Sequence, residues 1–202
     1  MRIIALPLIL SLAGCSALGA LNQPSRSVFE LLPANDTPVA CHRDATSELV
    51  VELPKTRSTL DTDRIMIRPN TLQAQYLPDA QWGDTVPVTL QMLLVHSFGR
   101  YDAFAHVGRA PLGASGDFAL ISEIEDFNAE TTEAGTQVRL TVNAQLVREL
   151  DARVAARGRF AVVRPAASTK TGDLVSAFEA AQQDLTAQIT GWGLRAMRVS
   201  CR

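Results

Sequence analysis

The chain reads as an α+β fold: a mostly antiparallel sheet with two main amphipathic helices packed on one face, in a single domain. Three observations predict it. Across 137–146, Val138, Leu140, Val142, Ala144 and Leu146 alternate with Gln137, Arg139, Thr141, Asn143 and Gln145, the period of a half-buried strand with one wet face. Leu174, Phe178, Ala181, Leu185, Ile189 and Trp192 step by 4, 3, 4, 4 and 3, which puts them on one helical stripe opposite Glu179, Gln183 and Thr186. Val86, Leu90, Leu93, Leu94 and Phe98 repeat that spacing earlier in the chain. Two such stripes beside several short strands are buried together when the helices cover one sheet face.

The N-terminus sets the compartment. Arg2, the apolar run 3–11 and the small residues Ala13 and Gly14 make 1–14 a secretory signal peptide, too short to span a bilayer. Leu12-Ala13-Gly14-Cys15 resembles the lipobox of bacterial lipoproteins, which implies cleavage before Cys15 and lipid attachment to it. A plain secretion signal cut within 17–20 is the alternative. Several acyl chains on one residue, each buried CH2 contributing about 0.8 kcal/mol, hold a protein to a membrane where one chain does not. Ser16, in place of an aspartate, implies release to the outer membrane. Residues 15–26 then form the acylated cysteine and a flexible tether of Ala, Gly, Asn, Gln, Pro and Ser, and 27–202 form the domain.

Length and charge exclude several classes. The 202 residues, 47% hydrophobic and 5% aromatic, suffice for one domain with a real core. Removing the signal takes away Arg2 alone, so Lys and Arg fall from 19 to 18 against 21 acids, a net charge of −3. That balance carries no footprint for nucleic acid and would not hold the chain to an anionic membrane without lipid. If Cys15 carries lipid, Cys41 and Cys201 remain as an even pair in an oxidising space. A bridge between them closes nearly the whole domain, for which chain entropy gives roughly 4 to 5 kcal/mol as an upper figure. Two separate buried thiols are the alternative.

In chain order, 27–32 with Val28 and Phe29 reads as a first strand closed by Pro33, and 34–47 as loop with Cys41 inside it. Residues 48–53 form a strand stopped by Pro54, and 55–62 a polar connection. The run 64–68 pairs with 72–77 across a Pro69-Asn70 turn. A helix over 85–98 follows, with Asp84 or Thr85 as N-cap, Pro87 in its first turn and an end near Gly99. Residues 104–107 read as a short strand and 108–116 as loop. Strand 118–127 is the antiparallel neighbour of 137–146 through 130–135. Residues 153–159 read as polar connection before strand 160–163, and the closing helix starts with Asp173 as N-cap.

The search for chemistry finds no motif that asks for a cofactor. Gly108 to Gly113 is followed by Ala114-Ser115, so a phosphate loop lacks its lysine, and Gly113-Ala114-Ser115-Gly116 is not a nucleophile elbow. His42, His96 and His106 are too far apart for a local metal motif, and Asp61-Thr62-Asp63 reads as a polar turn. Glu123, Glu125, Asp126, Glu130 and Glu133 sit near the hairpin tip and read as a solvated edge that blunts strand pairing, with paired catalytic carboxylates in a cleft as the alternative. Tyr76 and Trp82 are the candidate partner-binding aromatics. Both also suit core packing against the first helix, whereas Trp82 in a polar loop 79–84 suits a partner contact, since tryptophan is enriched at interface hot spots.

The order of lipobox, Phe29-Glu30-Leu31-Leu32-Pro33, the strand pair around Arg64-Ile65-Met66-Ile67-Arg68, Tyr76, Trp82, a helix, a long hairpin and a closing helix with Val175-Ser176-Ala177-Phe178 resembles the ABC-type transport auxiliary lipoproteins. Phe29 stands where a tyrosine is common. The resemblance implies a non-enzymatic outer-membrane lipoprotein facing the periplasm. It would work beside an MCE-domain protein and an inner-membrane ABC transporter, dock the far end of a lipid conduit, and in some members self-associate into a homo-oligomer ring. An anchored cell-envelope hydrolase or glycan-binding lipoprotein is the alternative, and it requires a polar cleft with converging acids or a Ser/His pair.

Overall fold

The computed structural model describes residues 25–34, 37–42, 47–109 and 117–201. The lipobox, Cys15, most of the tether and the stretch 110–116, with its Gly-Ala-Ser-Gly sequence, lie outside the described residues. In chain order, β1 (Ser27–Phe29), β2 (Val39–His42), β3 (Glu48–Val51) and β4 (Lys55–Thr56) are short, and β5 (Arg64–Asn70) and β6 (Gln73–Trp82) form a hairpin leading into helix α1 (Val86–Gly99). After β7 (Tyr101–Asp102) and β8 (His106–Arg109) come three long strands, β9 (Phe118–Thr132), β10 (Gly135–Arg148) and β11 (Arg153–Pro165). Helix α2 (Thr171–Ala196) and β12 (Ser200–Cys201) close the chain. The main sheet runs β1-β6-β5-β9-β10-β11, with β3 and β4 also on β9 and β8 on β3.

The long pairs are antiparallel, and the parallel joins are short. One edge of β9 takes three parallel partners in succession, β3 at Phe118 to Leu120, β4 at Glu123 and Ile124, and β5 at Ala129 and Glu130. The alternation in β10 is met in full: Val138, Leu140, Val142, Ala144 and Leu146 are all buried on the inner face, opposite Leu120, Ile124, Phe127 and Ala129 of β9. On that face lies the α2 stripe of Leu174, Phe178, Ala181, Leu185 and Ile189. Trp82 is wedged between them, 5.2 Å from Phe178 and 6.3 Å from Phe127 edge-on, while Phe127 and Phe178 stack at 5.5 Å. Such ring pairs contribute about 0.5–1.5 kcal/mol each beyond the area they bury.

The outer face is less wet than its pattern predicts. Thr141 and Asn128 are buried there. Where Thr141 faces Asp126 and Val142 faces Ile124, Glu125 is an extra residue in β9, a β-bulge. Its carbonyl, outside the ladder, accepts from the Arg57 guanidinium at 2.6 Å, and the neighbouring Ile124 carbonyl accepts from the Thr56 hydroxyl at 2.9 Å. The bulge therefore holds β4 and the turn after it, and the expected connection 55–62 is partly strand.

Other differences have physical causes. Residues 153–159 are the first half of β11, not connection. This strand sits at the sheet edge, so one face needs no apolar residues, and the other is built from Ala156, Gly158 and Phe160 because Trp192 of α2 packs there, 5.5 Å from the Phe160 ring. A Cβ on Gly158 would meet that phenylalanine ring at 2.6 Å. The expected connection 130–135 shrinks to Glu133 and Ala134, with Gly135 at φ +118°. Pro69 and Asn70 belong to β5, at a register irregularity that tolerates a proline without its N–H, and the turn lies at Thr71-Leu72. The strand expected over 104–107 is shifted to His106–Arg109, with β7 before it. Lys170, not Asp173, occupies the N-cap position of α2, and Asp173 in the first turn accepts from the Ser168 hydroxyl.

Cys41 lies in a strand rather than in loop. β2 sits between β7 and β12 in a separate three-stranded sheet, and Cys41 faces Cys201 directly across it, joined by a disulfide that spans 160 residues of sequence. The second face of α2 is not solvated either, because α1 packs on it. Thr186 and Thr190 are buried on this face, and Ser97 of α1 meets the Thr190 hydroxyl at 2.8 Å. The helices approach closely at Gly193, where a Cβ would stand 2.8 Å from the Phe98 ring. Gly193→Ala should therefore lower stability by about 1–3 kcal/mol despite alanine's better helix propensity. Gly172→Ala, with nothing within 4 Å of the added carbon, should be neutral or mildly stabilising. Urea unfolding of the two variants tests this pair of opposite signs.

Candidate functional site

The candidate site is an apolar groove of about 280 Å³ between α1 and the segment that follows β1. β1 lies parallel on the end of β6, with Phe29 beside Trp82, and the Gly83 amide donates to the Phe29 carbonyl at 2.9 Å. From there Glu30 to Pro33 leave the sheet as a strap. Leu31 turns into the core. At Leu32 the strap is gripped by α2 on both sides of the residue: its amide donates to Glu179 Oε2 at 3.2 Å, and its carbonyl accepts from Gln182 Nε2 at 2.6 Å. With its backbone pinned, Leu32 presents a side chain that is 59% exposed.

The facing wall is α1, where Thr89, Met92, Leu93 and His96 line the groove and Met92 is 40% exposed. Glu30, Asp84 and His96 give it a polar rim over an apolar interior. Trp82 also lines the groove, yet it is only 2% exposed, and its indole N–H has no acceptor among the described residues. The expected placement of Trp82 in a polar loop is corrected: β6 runs on to this residue because β1 pairs with it, and the ring packs on Phe127 and Phe178, not on the first helix alone. Among the described residues, its exposed edge faces the groove. Tyr76 lies elsewhere on β6. Its hydroxyl donates to the Thr59 carbonyl at 2.9 Å, and the Arg64 guanidinium stacks on its ring at 4.4 Å. The two candidate aromatics therefore do not share a site.

Two of the hairpin acids, Glu125 and Glu130, tie neighbouring strands together on the outer face. Glu125 accepts from Asn143 Nδ2 at 2.6 Å and from Arg159 at 2.8 Å. Its carboxyl is held below its ordinary pKa by the hydrogen bond from Arg159 and then by that from Asn143. Glu130 binds the Arg139 guanidinium at 2.8 Å and Gln137 Nε2 at 2.7 Å. Partial burial pushes its carboxyl up, but hydrogen bonds from Arg139 and Gln137 outweigh this and hold it low, and Arg139 is raised in return. A general acid needs the opposite shift. Among the described residues, no group of three or more His, Cys, Asp or Glu side chains is placed to hold a metal ion, and no helix is long and apolar enough to cross a membrane.

With this geometry in hand, the comparisons assign the family. The ABC-type transport auxiliary lipoprotein component family matches residues 29–190, from the first groove residue of β1 into the last turns of α2, and the chain belongs to it. It is a transport auxiliary family, not an enzyme family. An uncharacterised protein of Bradyrhizobium diazoefficiens is 28% identical over 197 residues, which cover 92% of this chain and 50% of that protein; the chain thus spans about half the length of that curated relative. A crystal structure of a Xanthomonas campestris protein of family DUF330 aligns with TM-score 0.75 at 26% identity, covering 85% of this chain and 97% of that one. A hypothetical protein of Chlamydia trachomatis, at TM-score 0.51 and 8% identity over 74% of this chain and 96% of that one, shares the fold alone.

Because Glu130 has a depressed pKa in the folded state, its ion pair adds stability above the ordinary value of 4.5, and that stability is lost as pH falls through the lower folded value. Glu130→Gln should cost on the order of 1 kcal/mol or less at neutral pH. The gap from the parent protein in urea midpoint should hold above about pH 5 and close below it. A gap unchanged down to strongly acidic pH would contradict this.

Proposed function

We propose that the protein is a lipid-anchored, non-enzymatic adaptor of an ABC/MCE-type intermembrane lipid transport system. In this reading it is held to the outer membrane through Cys15, faces the periplasm, and docks the transport conduit there. Family membership over 29–190 carries the reading. The groove supplies a contact surface of fitting chemistry: apolar, preformed, walled by the strap at which the family match begins, and rimmed by Glu30 and Asp84. The partners are an MCE-domain protein and, through it, the inner-membrane ABC transporter, and self-association into a ring would multiply the docking sites. The hydrolase alternative requires a polar cleft with converging acids or a Ser/His pair, whereas the groove is mostly apolar and two of the hairpin acids, Glu125 and Glu130, are tied to Arg159 and Arg139.

Two experiments test this. Palmitate should label the parent protein and not Cys15→Ser, and the substituted protein should leave the membrane fraction. A photo-crosslinking residue in place of Met92, at the groove mouth, should capture an MCE-domain protein in cells, whereas the same residue in place of Leu150, at a distant turn, should not. Recovery of no MCE-domain protein from Met92 would count against the adaptor reading.

A further inference from the structure

Leu72 is 97% exposed at the apex of the β5–β6 turn. The turn holds it there by satisfying its own polar groups. Asn70 Oδ1 accepts from the amides of Leu72 at 3.1 Å and Gln73 at 3.0 Å, Asn70 Nδ2 donates to Gln73 Oε1 at 3.2 Å, and the Arg68 guanidinium donates to the Thr71 carbonyl at 3.4 Å. Backbone groups bonded internally are those that can leave water at low cost. β5 and β9 run parallel, with Arg68 opposite Glu130, so this turn and the β9–β10 turn lie at the same end of the sheet. That end carries the small and uncharged residues Thr71, Thr131, Thr132, Ala134 and Thr136, with Arg68, Glu130 and the exposed Glu133 among its charges. The opposite end carries a second exposed leucine, Leu150, but it is set among Arg148, Glu149, Asp151 and Arg153.

The chain's direction tells the two ends apart. β1 runs parallel to β6 with Ser27 beside Ala80, and Arg26 donates to the Pro78 carbonyl, so the chain enters β1 from the side of Gln73 and the Leu72 turn. From Pro78 to Gln73 is about 17 Å at strand rise. Cys15 precedes Ser25 by ten residues, a length of chain that spans at most about 36 Å. The far turn stands roughly 45 Å from the tip, the length of β10 at strand rise.

We infer that the Leu72 turn rests in the interfacial layer of the same bilayer that holds the anchor, so that the domain stands tip-down and its groove, at the other end of β6, faces away from the membrane. This rests on lipid attachment at Cys15. The test uses the full acylated protein in phosphatidylethanolamine/phosphatidylglycerol vesicles, with an environment-sensitive nitrobenzoxadiazole probe on Leu72→Cys or on Leu150→Cys; Cys41 and Cys201 are bridged and do not take the label. The probe at 72 should shift to the blue and be quenched by headgroup-labelled nitroxide lipids several-fold more than the probe at 150. Equal, water-like signals from both sites on vesicles that float with the protein would overturn the orientation while leaving the anchor intact. Failure of the unlabelled protein to float would instead remove the anchor and, with it, the premise. Strong quenching at 150 alone would invert the domain and overturn the proposal outright.

Discussion

The structure depends on the seating of α2 against the inner face of the long hairpin. The two apolar stripes that meet there, Val138 to Leu146 on β10 and Leu174 to Ile189 on α2, form the centre of the core, and Trp82, Phe127 and Phe178 lock the end of β6 into the same contact. This seating fixes the position of the groove. Once α2 is in place, Glu179 and Gln182 stand where they grip the Leu32 backbone on either side, and the strap they hold becomes one wall of the groove. The other wall, α1, is placed by α2 as well, through Gly193 against Phe98 and Thr190 against Ser97. A groove whose two walls hang from one helix is preformed, and a preformed surface binds without first being ordered.

The bulge at Glu125 does comparable work on the outer face. An extra residue in β9 costs one rung of the ladder, but the freed carbonyl and carboxylate recruit Arg57, Asn143 and Arg159 from three other segments. Of the charges predicted near the hairpin tip, Glu125 and Glu130 are therefore ties between strands rather than a repelling edge. The lowered carboxyl pKa values of Glu125 and Glu130 fit stabilising ion pairs and not acid–base chemistry, in agreement with a family of transport auxiliaries.

Periodicity made part of this legible. β10 and α2 each present a complete stripe to one partner, and both are plain in the sequence. α1 shows the same spacing, but it is buried on more of its surface than a stripe implies, and Gln91, polar by type, is spent on the Val51 carbonyl at 2.9 Å. The first half of β11 escapes notice because an edge strand packed under a tryptophan wants Ala and Gly inside and tolerates arginine outside, which is the composition of a connection. The groove is illegible for a different reason. Phe29 to Pro33 carries the family resemblance, but its clamp lies about 150 residues away in Glu179 and Gln182, which on a helical wheel pass for solvated or merely polar positions. No local rule connects a backbone amide to a distant glutamate. Thr186 misleads in the same way: it sits on the face read as wet and is buried against α1.

Native-state hydrogen exchange on a Glu179→Ala/Gln182→Ala double variant tests the central claim, that α2 holds the strap that forms the groove. The account predicts that the amides of residues 29–32 exchange many-fold faster than in the parent protein while those of β9 and β10 keep their protection. Strap amides as slow as in the parent, with α2's two contacts gone, would contradict it.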